Sequence, residues 1–327
     1  MRYRGRIPSE PKPFAYVDIL RDISKSKYLA DDRFYEEKLT GRLELELRVI
    51  SEFLFVGSGS YDFRGKDKLV YYSFFRTNSK VVIPGTSIKG AVRSVLEAIS
   101  NSCVSQLAGK KRTGKNRYKQ DEGRPPYIDK RHSHKPCEDI NNLCAACRLF
   151  GTTGCGGRVS FSDALPANNP DTEIIKIGEL FGPTVVKTKR KFYQNKKFNP
   201  VGNLKPERNY RFVEAVNKGS IFKTSLSFQN LTKDELALLF YAMGVGQDYM
   251  IKVGGAKPRC FGTVRFIPIN LKRWADPLEK AEEKSERELE NYISGVLACD
   301  KLVVHHLLNQ FRDEISKPDE LCPKGVY

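Results

Sequence analysis

Cys144 and Cys147 form a C-x-x-C pair, Cys137 lies seven residues before Cys144, and His134 lies three before Cys137. Thiolates at this spacing supply one edge of a tetrahedral zinc site, and three thiolates with one imidazole close it. A closed site has no open coordination position, so it folds a segment instead of doing chemistry. His132 is the alternative fourth ligand, and Cys155 a weaker one. Two plainer readings compete with zinc. The cysteines could be buried and unmetallated, or they could form a redox pair, which would leave Cys137 and the histidines unexplained. Cys103, Cys260, Cys299 and Cys322 are scattered and read as small buried hydrophobes.

Phosphate-binding chemistry is suggested at two further places. "GGAKPRCFG" (residues 254–262) brings glycines together with Lys257 and Arg259. Glycines let a backbone approach a ligand closely, and the two cations can pair with phosphate. The G-x-x-x-x-G-K-[ST] order of a nucleotide-binding loop is absent. "KTKRKFYQNKKF" interleaves Lys187, Lys189, Arg190 and Lys191 with Phe192 and Tyr193. Cations grip phosphates and rings stack on bases without sequence preference. The competing reading is a solvated charged face.

Acid–base chemistry is thinly supplied. His305 and His306 sit in an apolar helical stretch and read as packed or surface residues. Asp62 and Asp67 lie in a glycine-containing segment, residues 57–68, that reads as a loop. With a divalent cation such as magnesium, a loop aspartate can assist RNA cleavage. Without one, each stabilises a turn.

The formal net charge is +17 and the basic residues cluster, which favours a polyanionic partner, nucleic acid above all. No apolar run reaches the roughly 18 residues of a membrane span. "MRYRGRIPSEPKPF" lacks the apolar stretch of a signal peptide, so a cytoplasmic protein is expected. Disulfides are rare in that compartment, and the eight cysteines do not read as a disulfide framework.

The elements that must hold these residues follow from periodicity. Residues 1–40 are a polar arm with an apolar island, "PFAYVDIL". "GRLELELRV" alternates with period two and reads as a half-buried strand. "LVYYSFF" reads as a second strand. "TSIKGAVRSVLEAIS" carries one apolar stripe and reads as a helix with Thr86 or Ser87 as N-cap. Gly90 in its first turn suggests close approach of another backbone. "TKDELALLFYAMG" is a helix with a Thr232–Glu235 capping box. The core is assigned to residues 41–100 and 157–270. A zinc-bearing insertion occupies 101–156, a projecting thumb-like hairpin about 184–200, and a helical extension 271–327. Strand and helix order gives an α+β class with a ferredoxin-like core and large insertions.

Three stretches then combine: "VIPGTSIKGAVRSVLE", "CAACRLFGTTGCGGRVSFSDA" and "GGAKPRCFGTVRF". They resemble the I-P-G helix start, the C-x-x-C…F-x-D-A element and the glycine-rich loop of the CRISPR-associated RAMP superfamily, over about residues 10–267. The resemblance implies a modified RNA-recognition fold and a crRNA-binding backbone subunit of a type III effector. It also implies assembly with copies or paralogues and with complementary target RNA. Lys89, Arg93, Lys257 and Arg259 would belong to a palm that grips guide phosphates. In type III relatives a loop aspartate with a divalent metal cuts target RNA; Asp67 is the nearest match and Asp62 the second. Two departures stand out. "KDKLVYYSFF" lacks the expected proline after the aspartate, and Cys260 replaces a loop glycine. The alternatives are a non-cleaving or capping subunit, and a free-standing zinc-stabilised RNA-binding protein.

Overall fold

The computed structural model describes residues 12–20, 22–28, 33–65, 69–104, 137–179, 189–276, 278 and 280–324, and the backbone of 111–113 and 117–119. In chain order its principal elements begin with β1 (Phe14–Asp18), β2 (Leu39–Val49), β3 (Gly57–Arg64), β4 (Leu69–Phe74) and α1 (Gly85–Ala98). Next come α2 (Ala145–Phe150), β5 (Val159–Phe161), β6 (Thr172–Gly178), β7 (Lys189–Tyr193) and β8 (Asn195–Lys197). The second half holds β9 (Tyr210–Asn217), β10 (Ile221–Leu231), α3 (Lys233–Met243) and β11 (Thr263–Trp274). It ends with α4 (Glu286–Leu297), α5 (His305–Ile315) and β12 (Ser316–Leu321).

The fold is mixed α+β, as its sequence pattern implies. The main sheet runs β5-β10-β2-β11, with Ile251–Lys252 added at the edge, and every neighbouring pair is antiparallel. Along the chain these core elements read β2, α1, β5, β10, α3, β11, a split βαβ connectivity. Leu43, Leu45 and Leu47 of β2 are fully buried on one face, as strand alternation dictates. They share one apolar cluster with Ile88, Val92 and Leu96 of α1 and Leu236, Leu239 and Phe240 of α3.

Helix α1 starts differently from its sequence reading. Pro84, not Thr86 or Ser87, is the N-cap, and its side chain can cap nothing. The missing acceptor comes from Asp163, whose Oδ1 accepts from the Gly85 N–H at 2.8 Å. A carboxylate there also complements the helix dipole. Ile83 and Ala164 exchange two backbone hydrogen bonds, so the I-P-G and F-S-D-A stretches meet. A Cβ on Gly85 would lie 2.2 Å from the Phe161 carbonyl oxygen, which makes glycine obligatory. Gly90, by contrast, is exposed and faces nothing within 4 Å among the described residues, so no described backbone explains it.

A second sheet runs β6-β9-β4-β3. Residues 57–64 are therefore strand and not loop. The pairing signal is cross-strand: Ser58 and Ser73 hydroxyls meet at 2.7 Å, and Tyr61 pairs with Tyr72. This sheet shares a small core, built on Ile177, Val213 and Ala215, with Ala256 and Phe261 of the glycine-rich segment.

The described part of residues 184–200 lies on the body and does not project. β7 pairs with β1 of the N-terminal arm, and β8 pairs in parallel with β12 near the C-terminus. Arg190 and Phe192 turn inward, and the Phe192 ring meets Phe311 edge-on at 4.9 Å. The C-terminal region is two helices closed by this strand. Cys322, just beyond it, is joined to Cys260 by a disulfide. These two cysteines are thus a cross-link and not two separate apolar fillers.

Candidate metal centre and nucleic-acid interface

Four sulfurs converge: Cys103, Cys137, Cys144 and Cys147, all within 4.8 Å of one another. Cys103 follows the end of α1, Cys137 marks the return of the described chain, and Cys144 and Cys147 bracket the start of α2. All four are buried. The Cys103 sulfur lies 3.4 Å from that of Cys147 and 3.5 Å from that of Cys144. Four sulfurs about 2.3 Å from one zinc ion would stand ~3.8 Å apart, so the donor set fits the metal with little movement. The Cys144 N–H approaches the Cys137 sulfur at 3.4 Å, and Arg93 Nη2 approaches the Cys147 sulfur at 3.8 Å. The Cys144 N–H favours thiolate at Cys137, the form that binds metal, whereas at Cys147 the lowering by Cys103 is outweighed by hydrogen bonds with Cys137 and Cys144, which push that thiol up. Hydrogen bonds from Cys103, Cys137 and Cys147 hold the Cys144 thiol well below its ordinary range. A hydrogen bond from Cys103 brings Cys137 down to about 7.

Cys137, Cys144 and Cys147 are the three cysteines that sequence spacing singled out. His134 and His132 lie outside the described residues. Cys103 escaped notice because its partners are on the far side of a long aperiodic segment. Cys155 is half-exposed, stands apart from the cluster, and its thiol donates to the Gly156 carbonyl.

Behind the sulfurs lies a buried ion-pair network. Glu97 accepts from Arg93 Nε at 2.8 Å and from Arg190 Nη2 at 2.9 Å. Arg93 also donates to the Gly151 carbonyl, and Arg190 to the Cys103 carbonyl. Two cations nominated for RNA are therefore engaged inside the protein. A similar arrangement holds α3: Glu235, which closes the Thr232 capping box, accepts from Arg148 at 2.9 Å and Arg158 at 2.5 Å. Burial pushes the Glu235 carboxyl up, but Arg158 and Arg148 outweigh it and hold it low.

The glycine-rich segment folds tightly between the sheets. Gly254 and Gly262 have positive φ, and a Cβ on either would lie within 2.3 Å of a backbone oxygen. Cys260 is also left-handed, at φ 65°, which explains why glycine suits that position. Arg259 is buried, and its guanidinium donates to the carbonyls of Gly178 and Glu179. Lys257 is half-buried with no ion pair among the described residues, and burial lowers its pKa to about 8. Lys252 is buried and, among the described residues, donates its ammonium only to neutral oxygens, of Phe261 and Thr263. Burial, and then repulsion from Lys257, lower it to about 7. Two under-compensated cations at a glycine-rich turn favour an anion.

The remaining nominated residues are dispersed. Lys89 is half-buried on α1, its pKa lowered by burial and then by Arg93. Lys189 pairs with Asp18 at 3.0 Å. The Lys191 ammonium sits 3.8 Å from the centre of the Phe14 ring, and Tyr193 packs half-buried near it. Lys187 and Asp67 lie outside the described residues. Asp62 is exposed on β3, accepting from the Phe63 N–H at 2.7 Å and the Tyr71 hydroxyl at 3.2 Å. Among the described residues, the four cysteines are the only group of three or more potential metal ligands. His305 and His306 are exposed at the start of α5, and no described helix is long and apolar enough to cross a membrane.

The α+β fold thus carries a buried four-thiol cluster and a glycine-rich turn with two desolvated lysines. The family model of the RAMP superfamily matches residues 46–265, which is more than half of the chain. The chain therefore belongs to the RAMP superfamily, whose CRISPR-associated members are RNA-binding subunits that bind crRNA and form multi-subunit complexes. No curated protein matches it.

Proposed function

We propose that the chain is a crRNA-binding backbone subunit of a type III CRISPR effector, holding guide phosphates at its glycine-rich turn. The observation that supports this most is the pair Lys252 and Lys257, cations held there without an acid partner among the described residues. A subunit that must hold any guide reads phosphate and shape instead of bases.

The test is RNA affinity against pH. Phosphate favours charged lysine, so bound RNA raises the Lys257 pKa above its free value of about 8. Affinity for an adenine-rich RNA should hold near neutrality, then fall about tenfold between about pH 7 and pH 9. Lys257→Met should weaken binding at neutral pH and flatten the fall above pH 8. It should also lower the salt slope by about one counterion. A variant with the wild-type pH profile and salt slope removes this turn from the interface.

Target cleavage is the finer part of the proposal. The resemblance nominates Asp67 first and Asp62 second, with magnesium or another divalent cation. In the assembled complex with guide, labelled target and magnesium, Asp67→Ala should erase regularly spaced cuts, and Asp62→Ala should leave them. An unchanged ladder from both variants assigns this subunit the non-cleaving or capping role.

A further inference from the structure

A cleft of about 740 Å³ opens beside the β3–β4 hairpin, apart from the glycine-rich turn and the cysteine centre. Its walls are Tyr61 and Tyr72 of the hairpin, Tyr210 and Arg211 of β9, and Leu204 and Lys205 from the preceding loop. Strand alternation puts Tyr61 and Phe63 on one face of β3, opposite Tyr72 and Val70 of β4. Asp62 and Tyr71 share the other face, so the cleft is not the Asp62 site.

The ring surface here is left in water. Tyr61 is 57% exposed, Phe63 62% and Leu204 51%. Apolar surface gathered in one place and rimmed by charge marks a contact site. The rings are also held in place. The Tyr61 and Tyr72 centroids lie 4.3 Å apart, and their hydroxyls are hydrogen-bonded at 2.5 Å. The Arg211 guanidinium lies 5.1 Å from the centre of Tyr72, and the Lys176 ammonium 4.9 Å from that of Tyr210. Charge at the rim is positive. Of the described acids there, Glu179 is paired with Arg211 and Glu207 with Lys176. Arg64 and Lys205 also line the cleft, and neither has an ion pair among the described residues.

Fixed rings, Tyr61 exposed and Tyr210 half-buried, beside cations with no ion pair among the described residues match unpaired bases joined by phosphates. A duplex keeps its bases stacked on one another and cannot offer their faces. We propose that this cleft is a second RNA-contacting surface, which stacks unpaired bases of single-stranded RNA on Tyr61 and Tyr210 while Arg64 and Lys205 hold the flanking phosphates. The inference rests on the RNA-binding reading and adds to it a surface that selects single strand over duplex.

The experiment uses the full chain with a fluorescein-labelled single-stranded oligouridylate, and a duplex RNA of equal length as comparator. Tyr61→Ala and Tyr210→Ala should each weaken oligouridylate binding at least about fivefold, while Tyr61→Phe stays within about twofold. Duplex affinity should be unchanged in all three. Because Tyr61 is largely exposed, its substitution leaves the fold intact, which a thermal melt checks. Wild-type oligouridylate affinity in both alanine variants overturns the cleft and leaves the RNA-binding reading standing. If the wild-type chain binds neither RNA, the reading itself falls, and the cleft with it. If the alanine variants alter assembly mass by light scattering but not oligouridylate affinity, the cleft seats a neighbouring subunit instead.

Discussion

The purified chain should carry one zinc ion, and Cys103→Ser should lose it. The expectation rests on four buried sulfurs already gathered within 4.8 Å, with Cys144 and Cys137 poised as thiolates. Zinc is the natural occupant of a four-thiolate tetrahedron and would be held by Cys103, Cys137, Cys144 and Cys147. Joining Cys103 to Cys137, Cys144 and Cys147 closes a long stretch of sequence and removes chain entropy from the unfolded state. Structural zinc sites contribute about 10–16 kcal/mol in small peptides that fold only around the metal. Here much of the fold has its own core, so a smaller share is expected. Even ~5 kcal/mol of lost binding energy would lower the melting temperature by on the order of 10 °C. Metal analysis and a thermal melt read both effects. Cys155→Ser is the control and should keep zinc and stability. His134→Ala separates the two ligand sets. If it releases zinc while Cys103→Ser retains it, the histidine is the fourth ligand and Cys103 only packs beside the site. Acid should also release the metal, because protons compete for the thiolates.

The parts legible in the sequence are those set by local rules. Period-two leucines place β2, an apolar stripe places α1, and a capping box places the start of α3. C-x-x-C spacing and one nearby cysteine give three members of the metal centre. What local rules miss is closure over distance. Cys103 joins the centre only because the end of α1 packs against α2, and nothing in its neighbours announces that. Pro84 caps nothing, and Asp163 caps α1 from the segment just after β5, far along the chain. The Cys260–Cys322 link joins the glycine-rich turn to the segment after β12, again a tertiary event. The basic stretch 187–193 misleads for a different reason. Composition counts every cation equally, whereas the strand buries Arg190, turns Phe192 onto Phe311, and leaves Lys189, Lys191 and Tyr193 half-buried.

Glu97→Gln should destabilise the chain by about 3–5 kcal/mol, because it leaves buried guanidinium charge without its counterion. The carboxylate has 1% side-chain exposure, and Arg190 has 8%. In that setting, losing one partner costs more than the intact pair contributes, since the remaining charge stays desolvated. The shift should appear as a lower urea midpoint with an unchanged slope. Arg190→Met in the same chain should recover part of the loss by removing the orphaned cation, a recovery that a simple packing defect at Glu97 would not show. The site couples three parts of the molecule. Arg93 stands between Glu97 and the Cys147 sulfur, and Arg190 ties Glu97 to the Cys103 carbonyl and to β7, which carries the N-terminal arm. Glu97→Gln should therefore also raise protease sensitivity in β7 and β1, while zinc content persists because the four sulfurs, not the arginines, hold the metal. A loss below about 1 kcal/mol would mean that water reaches Arg190 and that the network is solvated, with the ordinary value of a surface pair.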